Sequence, residues 1–123
     1  MTTIAVSADL LAVGYTSGTV LVYQLDDSDD MLKFEQVHQF SFHKSAVNCL
    51  LITDDGTQLV SGGADTYIII YDLINSTAEY KLIGHSGAIT HLQVVVTPHP
   101  QRHTVQRSLL SASVDGFIKV WDL

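Results

Sequence analysis

A chain of 123 residues, 46% of them hydrophobic and 15% charged, is one modest globular domain or a piece of a larger one, not a disordered segment. Its apolar residues come in short runs, far below the roughly 20 that a membrane span needs, and Met1–Leu11 lacks the basic start and long apolar run of a secretory signal, so no membrane partner is expected. A net charge of −7 argues against a surface that binds nucleic acid as a whole, and Cys49, the only cysteine, cannot close an internal disulfide, which suits a reducing cytosol or nucleus.

Thr2–Ser7 reads as a first short strand. Leu10–Leu25, LLAVGYTSGTVLVYQL, reads as strand, tight turn, strand. Asp26, Asp27, Asp29 and Asp30 follow as an acidic cluster, and His43 in FHKSAV opens the next segment. Four short strands are expected there: Ala46–Thr53, Gln58–Gly62, Tyr67–Asp72 and Ala78–Leu82. Asp55-Gly56 offers the positive φ of a tight hairpin. Asp65-Thr66 and Asp115-Gly116 place an Asp that can bond its own backbone between the second and third strands of their units. Ile68–Ile70 and Phe117–Val120 are apolar or β-branched, as strands buried between neighbours should be. His85 in GHSGAI opens a third segment. Within Thr97–Arg107, the residues His99, Arg102, His103 and Arg107 make a weakly basic stretch, and Ser108–Leu123, SLLSASVDGFIKVWDL, is a last hairpin. No stretch of about ten residues carries a 3.6 period, so essentially no helix is expected.

The three hairpins are copies of one unit. Their last aromatics, Tyr23, Tyr71 and Trp121, lie 48 and 50 residues apart. The excess over a shorter period can be located. His43 to Tyr71 is 28 residues and Tyr71 to His85 is 14, a unit of 42. The first unit carries its extra residues on the acidic cluster, the third on Thr97–Arg107, and both insertions are expected in exposed polar loops.

A GH pair, a strand, SGGAD or SASVD, and a strand ending in YD or WD together resemble WD40 repeats, whose period is roughly 40–45 residues. The likeness is strong in the second and third units and weaker in the first, which has Ser17 for the turn Asp and Val13 for the strand Ser. It implies an all-β fold of about three propeller blades, four antiparallel strands each. Residues 2–41, 42–83 and 84–123 would be the blades, the last lacking its outer strand. Propellers close with four to eight blades. Three should leave the faces of both end blades bare, so the remainder of a longer chain, or other chains, is expected to complete the ring.

His85, Ser111 and Asp115 look like a hydrolytic triad on paper. The family likeness implies something else: a buried structural hydrogen-bond chain in which Trp121 donates to Ser111, Ser111 bonds the His85 ring and Asp115 accepts from its other nitrogen. Each group has the donors and acceptors to do so. No Gly-x-Ser-x-Gly elbow is present. The middle unit offers His43, Ser61, Asp65 and Tyr71. A phenol must reach where an indole would, and the middle network is therefore expected to be the shorter. His99 and His103 stand four apart, but Pro98 and Pro100 forbid a helix, and a metal site needs more convergent ligands. No catalysis, cofactor, metal or small-molecule substrate is expected.

Finer wording narrows the likeness. DTYIIIYDLIN, followed by YKLIGHSGAIT, resembles the early repeats of the tandem-propeller WD-repeat subunits of the small-subunit processome, which matures pre-ribosomal RNA. That implies a scaffold among proteins of a multi-subunit complex, a pre-ribosomal ribonucleoprotein in the nucleolus or nucleus. A generic adaptor in signalling or ubiquitin ligation, cytoplasmic instead, is the alternative. Candidate partner loops are Asp26, Asp27, Asp29 and Asp30 on one blade and Arg102, His103 and Arg107 on another.

Overall fold

The computed structural model describes residues 2–7, 9–26, 33–53, 55–98 and 105–123, and all regular structure among them is β-strand. The first sheet holds β1 (Thr3–Ser7), β2 (Leu10–Gly14), β3 (Val20–Asp26) and β4 (Lys33–Phe40) in that order. The second holds β5 (Val47–Ile52), β6 (Gln58–Gly63), β7 (Ile68–Asp72) and β8 (Thr77–Leu82), again in chain order. The third is three-stranded: β9 (Ile89–Pro98), β10 (Val105–Ser113) and β11 (Ile118–Asp122), with β10 in the middle. Every pairing is antiparallel. The sheets are not closed into a ring.

The sequence IIIY explains why the second sheet is central. Successive side chains of a strand point to opposite faces. Ile69 and Tyr71 enter one core with Val22, Phe40, Val47 and Leu59. Ile68 and Ile70 enter the other with Val60, Ile89 and Leu109. All four are essentially buried, and burying each side chain of this size is worth about 1.5–3 kcal/mol. The outer faces of the other two sheets differ. Ile4 and Val6 are 54% and 70% exposed on the first, and Ile118 and Val120 are 73% and 65% exposed on the third.

Glycines set the sheet-to-sheet approach. A Cβ on Gly14 would lie 2.8 Å from the Val47 side chain, and one on Gly62 would lie 2.5 Å from Ile89 Cγ2. Each glycine thus lets the first strand of the following sheet sit directly on backbone. Gly18 has φ +91° in the β2–β3 turn, where the first unit lacks its Asp. Gly56 (φ 71°) closes the β5–β6 hairpin.

The insertions are not simply loops. The third-sheet ladder continues through Arg107↔Val96 and Gln106↔Thr97 to Val105↔Pro98, and the first-sheet ladder runs out to Asp26↔Lys33. An alternating backbone can keep pairing as long as residues are supplied, so Thr97, Pro98 and residues 105–107 of the second insertion lie on strands, and Asp26 of the first ends one. Strand alternation puts the Asp26↔Lys33 and Pro98↔Val105 pairs, the last described in the two ladders, at the end of the sheets opposite the His43 and His85 segments.

Candidate functional site

The third sheet carries the most complete polar network. Trp121 Nε1 donates to Ser111 Oγ at 2.9 Å. Ser111 Oγ lies 2.8 Å from His85 Nε2, and His85 Nδ1 lies 2.9 Å from Asp115 Oδ2. An indole only donates and a carboxylate only accepts, so the Ser111 oxygen accepts from Trp121, His85 Nδ1–H donates to Asp115, and in that tautomer Nε2 accepts the Ser111 proton. Asp115 also accepts from the Ser86 and Phe117 backbone N–H groups at 3.0 and 2.9 Å. Desolvation pushes its acidity the other way, but the Phe117, Ser86 and His85 donors outweigh it and hold Asp115 down at about 2. Ser111 is 1% exposed and His85 6%. A hydroxyl that is buried and bonded on both sides presents no nucleophile to a substrate.

The second sheet repeats the arrangement with a phenol. His43 Nδ1 faces both Asp65 oxygens at 3.1 Å, and His43 Nε2 lies 2.6 Å from Ser61 Oγ. Asp65 takes the Lys44 and Tyr67 backbone N–H groups at 2.9 and 3.2 Å. Contrary to expectation this network is not shorter. The Ser61 and Tyr71 hydroxyls are 3.0 Å apart. The para oxygen of the phenol reaches far enough, and the ring is held by Phe40, stacked at 4.3 Å, and Phe42, tilted at 6.2 Å. Burial pushes the Tyr71 hydroxyl up to about 12, so it stays protonated. A phenol can donate or accept, so it does not fix the proton direction as the indole does.

In the first sheet Val13 and Ser17 replace Ser and Asp. Val13 is packed as an apolar residue, and Ser17 bonds only Thr19, at 3.2 Å.

Of the candidate partner residues, Asp27, Asp29, Asp30, Arg102 and His103 lie outside the described residues, as does His99. Asp26 ends β3. Arg107 is on β10, not in a loop, and its Nη1 donates to Asp55 Oδ2 at 3.4 Å across the junction of the second and third sheets. The Thr53 hydroxyl, the Thr57 backbone N–H and the Thr57 hydroxyl donate to Asp55 Oδ1 at 2.7, 3.1 and 2.8 Å. These donors hold the Asp55 carboxyl well below the usual range. The sequence reading gave Asp55 only a turn role. No motif marks its partner, which sits 52 residues away. Among the described residues no three His, Cys, Asp or Glu side chains converge on a metal position.

Comparison with known proteins agrees with this geometry. The family described as WD domain, G-beta repeat matches residues 34–72 and 76–122. The chain is 30% identical to Elongator complex protein 2 of Mus musculus over 91% of its own length, and 30% identical to Periodic tryptophan protein 2 of Saccharomyces cerevisiae over 93%. It is 27% identical to Pre-rRNA-processing protein IPI3 of Mycosarcoma maydis over 95%. The chain spans only 14%, 11% and 21% of the lengths of these three relatives. The motif-bearing His–Ser–Asp networks, the repeated four-strand sheets and the matched profile together make this chain a member of the WD40-repeat family.

Proposed function

We propose that this chain is part of a non-catalytic scaffold that holds proteins together in a multi-subunit particle for pre-ribosomal RNA processing, within or beside the small-subunit processome of the nucleolus. The carrying observation is that both His–Ser–Asp sets are consumed in buried structural chains, which leaves surface, not chemistry, as what the fold offers. The wording of residues 65–90 and the similarity to a pre-rRNA-processing protein support the choice of particle. The units would be blades 2–41, 42–83 and 84–123. The bare faces at Ile4 and Val6 and at Ile118 and Val120 would be covered by further blades, from the same or another chain. The acidic and basic ribbon tips, on one side of the array, would select partners of opposite charge and act mainly on association rate.

Affinity purification of the endogenous protein tests this. Recovery of pre-ribosomal factors is the expected result, and their absence overturns it. Scrambling Asp26–Asp30 should change the recovered set, and an unchanged set removes the charge-selection part. The 30% identity to an Elongator subunit, against 27% to the pre-rRNA-processing protein, favours one other reading, an adaptor in a different complex. Cytoplasmic signalling or ligase partners in the same purification would establish that reading instead.

A further inference from the structure

The extension of β9 has a local effect on the neighbouring sheet. Register places Val94 opposite Leu109 and Val96 opposite Arg107, so all four share one face of the third sheet, the face turned to the second. β5 ends at Ile52, but the apolar row on β9 runs on to Val96, which is 48% exposed. The result is a step between the two sheets. In it lies a cleft of about 340 Å³, walled mainly by Leu51, Ile52, Leu92, Val94 and Val96, with Arg107 at its edge.

Leu51, Leu92, Val94 and Val96 make an aliphatic wall, Gln93 adds a polar group, and the one charged lining group is a guanidinium. Thr53 also lines the cleft, but its hydroxyl is already given to Asp55. Arg107 has five N–H groups, and Asp55 takes one of them at a long 3.4 Å. The donors of the Asp55 turn all go to its Oδ1, and Oδ2 takes the one Arg107 N–H, so the rest of the fork keeps donors for another carboxylate, which it can meet two N–H groups to two oxygens. Volume, an aliphatic wall and a small number of placed polar groups, here Gln93 and Arg107, are the features of a pocket that holds and orients a ligand.

We infer that this cleft binds an extended peptide segment in which an aliphatic or aromatic side chain stands beside an aspartate or glutamate. The apolar side chain fills the step between β5 and β9, and the carboxylate pairs with Arg107. Nucleic acid fits less well, because a phosphate backbone needs a row of cations and the cleft has one. The inference deepens the scaffold reading by naming a partner chemistry and rests on that reading only in taking the partner to be a protein.

The test uses the full chain and a fluorescein-labelled, amidated Gly-Glu-Leu-Glu-Gly peptide followed by fluorescence anisotropy. The expected result is saturable binding that weakens about tenfold or more for Gly-Gln-Leu-Gln-Gly and for Arg107→Ala. Arg107→Lys should lie between, because it keeps the charge and loses the fork. Val96→Asp, which sets a like charge in the cleft, should also abolish binding. Both substituted side chains are at least partly exposed, and unchanged melting curves would establish that the variants fold. The inference is overturned by no binding up to about 1 mM, by equal binding of the Glu and Gln peptides, or by binding of an oligouridine in place of the peptide. Failure here with pre-ribosomal factors still recovered would remove the cleft and leave the scaffold reading standing.

Discussion

The indole of Trp121 and the hydroxyl of Ser111 meet at 2.9 Å, at the end of the third sheet's network away from the Asp115 carboxylate. The indole only donates and the carboxylate only accepts, so between them His85 offers Nδ1–H to Asp115 and, in that tautomer, takes the Ser111 proton at Nε2.

Removing the middle of that chain orphans groups at both ends. His85→Ala should lower stability by about 1–3 kcal/mol, since it leaves buried Ser111 and the Asp115 carboxylate short of partners. Urea melts of the variant and the parent, compared at equal slope, would read this directly. No loss would mean that the network contributes nothing to the fold.

Tyr71 joins two functions that substitution can separate. Tyr71→Phe deletes the bond to Ser61 but keeps the stack on Phe40, and should cost about 0.5–1.5 kcal/mol. Tyr71→Ala empties a fully buried ring site and should cost about 3–5 kcal/mol. Thermal melts that rank the two equally would mean that the ring, for all its burial, does no packing.

Asp115 makes stability depend on acid. Its folded-state value is depressed to about 2, so its contribution is fully present above the unfolded carboxyl value near 4 and disappears as pH falls through about 2. The urea midpoint should fall across that window, and Asp115→Asn should start lower at neutral pH and fall less steeply. Parallel pH curves for the two proteins would assign the acid sensitivity to other carboxylates.

Cys49 should be chemically quiet. Burial pushes its thiol up to about 12, and only a weak contact to the Gly62 carbonyl, at 3.8 Å, opposes this. The thiolate is the reactive species. Iodoacetamide at pH 8 should therefore leave the folded protein unmodified over a time that fully labels it in urea, as intact-mass measurement would record.

What could be read in the sequence was whatever is local or repeated. The His, Ser, Asp and Trp positions lie within one unit and match the WD40 pattern, so the family resemblance implied their meeting. Alternating burial made the strands legible too, with ends off by a residue or two, because a ladder stops where neighbours stop pairing and not where propensity changes. The reach of Tyr71 was not legible: it depends on Phe40, which arrives from the preceding sheet. Nor was the pairing of Asp55 with Arg107, or the cleft beneath it. Both follow from how far β9 outruns β5, and polar residues such as Gln106 and Arg107 look the same in a loop as on a ribbon.

The bare backbone at Gly14 and Gly62 works as a spacer. Val47 and Ile89, each from the first strand of the next sheet, occupy the room that a methyl group would fill. By register the same position in the third sheet belongs to Ala112, which pairs with Ile118 as Gly62 pairs with Ile68. Whatever packs on that sheet therefore meets a methyl where the two earlier junctions met none. A neighbour packed there would need a fit different from the one at the two junctions between these sheets.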